Sequence, residues 1–208
     1  LREHLKGVAD LERLLGRITA KTANARDVQA LGRSLSRVPA LRGVLMNADA
    51  DLLVSLRDGL DALEEITAAI DAAIVEEPPI PITEGGIIRD GYDEKLDHLH
   101  ALVRGGRDWI ATLQQEERQR TGISNLRVGY NKVFGYFIEV SKANTRLVPE
   151  DYQRKQTLVN GERYVTPALK AREEEILTGQ ERMQTLEYEL FVTLRDRIAA
   201  EARRIQNT

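Results

Sequence analysis

The 208 residues contain no cysteine, so neither a disulfide framework nor a thiolate metal site is available, a composition that fits a reducing compartment. Aromatic residues make up only 5% against 30% charged, which suits a set of long, solvent-washed helices better than a sphere with a thick core. No apolar run approaches the roughly 20 residues that span a bilayer, and the amino terminus lacks a signal-peptide pattern. The sequence is therefore expected to be intracellular, with no membrane partner. There is no Gly-x-x-x-x-Gly-Lys-Ser/Thr, nor even one Gly-Lys pair, so no phosphate-cradling loop of that type is encoded. Gly-x-Ser-x-Gly is also missing, and the many carboxylates fall on faces expected to be solvated. His98 and His100 stand two apart and would point different ways from a helix, with His4 distant, so no metal site is expected. No active site emerges. The first methionine is Met46, and the chain is expected to be a piece of a longer protein.

What is there is mostly helical periodicity. Val8, Leu11, Leu14, Leu15 and Ile18 share one helical face. Asn24 with Asp27 predicts a cap for a second helix bearing Val28, Leu31, Leu35 and Val38, with Pro39 as its stop. After a helical turn around Leu41 to Leu45, Asp49 or Asp51 can cap a longer segment carrying Leu53, Leu56, Leu60, Leu63, Ile66, Ile70 and Ile74. The prolines of Glu76-Glu-Pro-Pro-Ile-Pro-Ile then force an extended connector that Gly85-Gly86 continues. From about Tyr92 to Thr121 a second stripe predicts a helix about 45 Å long, ending at Gly122, with Gly105-Gly106 allowing close helix packing. Thr166 can cap and Pro167 can begin a last helix, with Glu173-Glu-Glu near its positive end and a stripe reaching about Gln206.

Between those two long helices the pattern changes. Residues 123–167 are rich in β-branched and aromatic side chains and broken by glycines. Strands are expected at about Leu126 to Asn131 and Tyr136 to Ser141, joined by a loop ending at Gly135. A second pair is expected around Thr157 to Thr166, with Asn160-Gly161 as its turn. The predicted architecture is mainly α with a small antiparallel β insertion: a helical core, and two long antiparallel helices carrying the β element at their tip.

Charge is segregated. Within 123–167 seven basic residues face four acidic ones, a balance of +3, whereas the remainder carries −6. Lys142, Arg146, Arg154 and Lys155 could meet phosphates, with Asn144, Gln156 and Asn160 donating amide hydrogen bonds to the same oxygens. A solubilising surface is the plainer alternative. Tyr130, Phe134, Tyr136, Phe137, Tyr152 and Tyr164 could stack on bases, but so small a sheet needs most of them for its own packing. A helical scaffold whose β head binds another protein is the competing reading.

The motifs Asp10-Leu-Glu-Arg-Leu-Leu-Gly-Arg-Ile18, Gly86-Ile-Ile-Arg-Asp-Gly91, Val128-Gly-Tyr-Asn-Lys-Val-Phe-Gly-Tyr136 and Gln156-Thr-Leu-Val-Asn-Gly-Glu-Arg-Tyr164 resemble the MutS family of DNA mismatch-repair proteins, over essentially the whole chain. The resemblance implies core and lever helices in 1–122 and 168–208, and a clamp domain in 123–167. It implies clamps from two subunits closing on double-stranded DNA through its backbone, with Asn144 and Asn160 at contact positions. Lys142, Arg146, Arg154, Lys155 and Gln156 join them, Arg154 and Lys155 mainly by charge. It implies a second MutS subunit and downstream mismatch-repair proteins as partners, and a cytoplasmic, nucleoid-associated bacterial setting. The family's Phe-x-Glu reading segment and nucleotide-binding domain are missing from these residues. ATP and Mg, and ATP hydrolysis, are thus expected of the parent protein, and neither a cofactor nor catalysis of this stretch.

Overall fold

The structure, a computed structural model, describes residues 2–208. The chain divides into two compact units, one running up to Leu96 and including Gln184–Thr208, the other Asp97–Met183.

The first unit begins with α1 (Arg2–Leu5), α2 (Leu11–Thr19) and α3 (Ala25–Leu35). Val8 precedes α2 rather than joining it. Asp10 accepts the Arg13 N–H at 3.0 Å and so starts the helix three residues later than periodicity suggests. Asn24 and Asp27 form the expected reciprocal box, each side chain accepting the other's backbone N–H. Pro39 does not stop α3, which ends at Leu35; it lies in the first turn of α4 (Val38–Val44), where a missing N–H costs little.

The single long segment expected across Leu53 to Ile74 is two helices, α5 (Asp51–Gly59) and α6 (Glu64–Ala73). Asp61 Oδ1 accepts the Leu63 N–H at 3.0 Å, a local bond that competes with the helix. Leu63 is left-handed (φ 46°) yet 1% exposed, so burial of its side chain offsets the backbone cost. The proline-rich stretch is a connector as expected, held by Arg26 Nε to the Pro78 carbonyl (2.7 Å) and a guanidinium nitrogen of Arg33 to that of Glu76 (2.6 Å). It leads through a 3₁₀ turn at Ile82–Glu84 to a single bridge between Ile74 and Ile88.

The long helices are α7 (Glu94–Thr121) and α8 (Pro167–Ala200), and α9 (Ala202–Gln206) follows a break at Glu201. The last stripe is thus interrupted before its expected end at Gln206. Leu14, Ile18, Leu31, Leu35, Ile66, Ile70, Phe191 and Ile198 are all buried and belong to the first unit.

In the second unit Gly122 closes α7 with φ 72°, and Thr166 Oγ1 accepts the Leu169 N–H at 3.1 Å to start α8 at Pro167. A Cβ on Gly106 would lie 2.5 Å from Ile176 Cγ1, and one on Gly179 would lie 2.9 Å from Leu102 Cδ2. Residue numbers rise in one helix as they fall in the other, so α7 and α8 pack antiparallel.

Between them lies a four-stranded antiparallel sheet ordered β1-β2-β4-β3, with β1 (Arg127–Asn131), β2 (Gly135–Ser141), β3 (Gln153–Thr157) and β4 (Gly161–Val165). Gly135 has φ 75° at the first turn, as expected. The second turn differs: Leu158 N–H donates to the Gly161 carbonyl at 2.8 Å, which makes Val159-Asn160 the two-residue loop instead of Asn160-Gly161. Alternation puts Val128, Ile138, Val140 and Tyr164 on the face that packs with Val103, Ile110 and Leu113 of α7 and with Leu169 and Ile176 of α8.

Candidate nucleic-acid interface

The opposite face of the sheet is polar and internally matched. Arg163 Nε donates to Glu139 at 2.9 Å and a second guanidinium nitrogen to Gln156 Oε1 at 3.0 Å, while its Cζ stacks 4.2 Å above the Phe137 ring. Gly129 permits this layer, because a Cβ there would lie 2.7 Å from Phe137 Cζ. Gln156 is therefore fixed in a row across the sheet.

Lys142, Asn144 and Arg146 stand on a 3₁₀ turn, Lys142–Leu147, that follows β2 directly. The Lys142 N–H donates to the Asn160 carbonyl at 3.0 Å, joining this turn to the β3–β4 loop. Lys142, Asn144 and Asn160 thereby meet at one end of the sheet, and Arg146 lies one helical turn further on. Three residues that sequence reasoning passed over join them: Asn125, Arg127 and Ser141. Asn125 Nδ2 donates to Ser141 Oγ at 3.0 Å, and Asn144 Nδ2 donates to Asn125 Oδ1 at 2.9 Å. A groove of about 220 Å³ opens here, lined by Asn125, Arg127, Ser141, Asn160 and Gly161 among others.

Arg154 and Lys155 sit apart from that end, on the edge strand β3. Arg154 opposes Tyr164 and Gln156 opposes Arg163, so Lys155 is the extra residue of a bulge. A charged bulge on an edge also discourages pairing with another strand, which needs no ligand to explain it. Arg154 lies 3.5 Å from Glu162 but remains 64% exposed, a pairing too weak to occupy it. Beneath, the Tyr164 hydroxyl donates to Glu162, and burial together with that carboxylate pushes its pKa up to about 12. Tyr152 is also raised, first by burial and then by Glu117, which accepts its hydroxyl proton at 2.7 Å. Neither phenol ionises near neutral pH, so both act as packed donors.

Residues 91–182 match the family described as MutS family domain IV. The chain is 51% identical over 208 residues to the DNA mismatch repair protein MutS of Symbiobacterium thermophilum, covering 100% of this chain and 24% of that protein. The DNA mismatch repair protein MutS 2 of Halobacterium salinarum is 56% identical over 206 residues, covering 99% of this chain and 24% of the relative. The protein named MutS in Halothermothrix orenii is 47% identical over 208 residues, covering 100% and 23%.

The chain belongs to the MutS family. It spans about a quarter of the length of these relatives. The MutS domain IV match takes in all of α7, the whole sheet and α8 as far as Arg182, so every candidate contact residue lies within it. In this MutS-family sheet the aromatics divide as packing requires. Phe137, Tyr152 and Tyr164 are buried and Tyr136 is partly so, whereas Tyr130 and Phe134 stay about half exposed. Asn125 was legible only as a polar residue between buried Ile123 and Leu126. Ser141 was legible as the last residue of an expected strand; neither signal marks a site by itself. No helix among the described residues is long and apolar enough to cross a membrane.

Proposed function

We propose that this chain is the domain IV-bearing part of a DNA mismatch-repair protein, with residues 123–167 as a clamp that lies against the backbone of double-stranded DNA without reading its bases. The observation that carries this is the meeting of Lys142, Asn144, Asn160 and Arg127 at one end of a net basic sheet, in a chain half identical to proteins named for mismatch repair. Cations and amide donors suit phosphate oxygens, which are the same at every sequence. The rest of the protein would bind ATP and Mg and hydrolyse ATP. The long helices of 1–122 and 168–208 would couple that nucleotide state to the clamp, since a rigid helix carries a small rotation at one end to a displacement at the other. A second subunit would supply the facing clamp, and downstream mismatch-repair proteins would read the closed state.

The test is fluorescence anisotropy of a labelled duplex with the full chain across a salt series. Two to four phosphates per clamp predict a slope of about −2 to −4 in log K against log salt. Arg154→Ala with Lys155→Ala should weaken binding and flatten that slope by about 2. The competing scaffold reading draws on Val133 (80% exposed) and Val159 (88%), apolar residues at the two hairpin tips. It expects the double substitution to leave DNA affinity unchanged.

A further inference from the structure

The groove at the end of the sheet contains a hydrogen-bond chain with a direction. Asn144 Nδ2 donates to Asn125 Oδ1, and Asn125 Nδ2 donates to Ser141 Oγ. Ser141 Oγ is thus an acceptor toward the protein, and its own proton, taken by no described group, is left to donate into the groove. A hydroxyl held this way favours a ligand that can only accept.

The charges around it point the same way. Glu139 lines the groove and alone would repel an anion, but Arg163 Nε holds its carboxylate at 2.9 Å and cancels it locally. Arg127, opposite Glu139 in the β1–β2 register, is exposed and in no salt bridge among the described residues, so the groove is net positive. The floor is close-packed: a Cβ on Gly161 would fall 2.6 Å from the Val140 carbonyl oxygen.

We propose that this groove seats one phosphate of the DNA backbone. The Ser141 hydroxyl donates to a non-bridging oxygen, Arg127 supplies the counter-charge, and Asn125 is the positioning residue that turns the hydroxyl outward. This rests on the DNA-contact reading above and adds to it a specific neutral donor and a specific cation.

Duplex anisotropy with the full chain tests it, with thermal midpoints measured on every variant. Ser141→Ala should lower affinity about tenfold with the salt slope unchanged, because a neutral donor releases no counterion. Arg127→Gln should lower affinity and flatten the slope by about 1. Asn125→Asp cannot donate to Ser141, whose proton then turns inward to the new carboxylate, so affinity should fall at least as far as with Ser141→Ala. Asn125→Ala, should the aspartate variant fail to fold, removes the same constraint without the charge and should weaken binding less than Ser141→Ala. Ser141→Thr keeps the hydroxyl and should bind like the unsubstituted chain. If Ser141→Ala and Arg127→Gln bind normally while Arg154→Ala with Lys155→Ala is weakened, the groove is overturned and DNA contact stands. Equal weakening by Ser141→Thr and Ser141→Ala also overturns it. If the unsubstituted chain binds no duplex at any salt, both readings fall.

Discussion

Gly105 and Gly106 are neighbours on α7 with opposite surroundings, and replacing each by alanine should move stability in opposite directions. A Cβ on Gly105 meets nothing within 4 Å, and the residue is exposed. Alanine there removes glycine's backbone entropy cost and should stabilise by about 0.8–1 kcal/mol. Gly106 is buried, and its added Cβ would lie 2.5 Å from Cγ1 and 2.9 Å from Cδ1 of Ile176. The first of these is near the root of a 2% exposed side chain, so relief requires a new rotamer or separation of α7 from α8. Overpacking of this kind costs about 1–3 kcal/mol, against the same propensity gain, for a net loss of about 1 kcal/mol. The chain's single tryptophan, Trp109, packs against the second unit's core under Arg172, so its fluorescence follows that unit through urea unfolding. At an m value of about 2 kcal/mol/M, Gly105→Ala should raise the midpoint by about 0.5 M and Gly106→Ala lower it by about as much. Ile176→Ala should cost about 2–5 kcal/mol alone but at least about 1 kcal/mol less beside Gly106→Ala, whose methyl fills part of the vacated space. A Gly106→Ala midpoint as high as that of Gly105→Ala would refute the close α7–α8 contact.

Gly161→Ala should be worse than Gly106→Ala, because its Cβ would meet the Val140 backbone, which has no rotamer to change; the Trp109 midpoint should fall by about 1–3 kcal/mol equivalent. In the first unit, Asp61 is held below the usual 3.8 by the Leu63 N–H and then Arg204, and Glu65 below 4.5 by its own backbone N–H and then Arg204. Depressed carboxylates stabilise fully above those values and lose the contribution as pH falls through their folded values. The thermal midpoint followed by circular dichroism should therefore drop between about pH 5 and about pH 3, and Arg204→Ala should shrink that drop; an undiminished drop would remove Arg204 from the account.

The parts of the fold that were legible were those fixed by local chemistry. Asn24 with Asp27, Gly122, Gly135 and the Thr166-Pro167 start each declare a cap or turn within four residues. The break at Leu60 to Leu63 was hidden because apolar steps of three and four run straight through it. Its cause lies partly 143 residues away, where Arg204 holds Asp61 at 2.8 Å. Strand β3 began earlier than expected because Gln153-Arg-Lys-Gln-Thr157 is an edge strand without apolar alternation, bulged at Lys155. At the candidate site, charge singled out residues 123–167 but not which of them lie together. Which residues converge depended on the sheet order and on the Lys142–Asn160 bond, neither of which is a sequence pattern.

In the proposed function, duplex DNA meets the basic end and edge of the domain IV sheet. Amide shift mapping of the isotope-labelled full chain, titrated with a short duplex at low salt, tests it most directly. Shift changes are expected to be confined to residues 124–128, 141–147 and 153–161 and to reverse when salt is raised. Changes centred on the Lys132 to Phe134 tip or on α2 to α6, or none at saturating duplex, would contradict it.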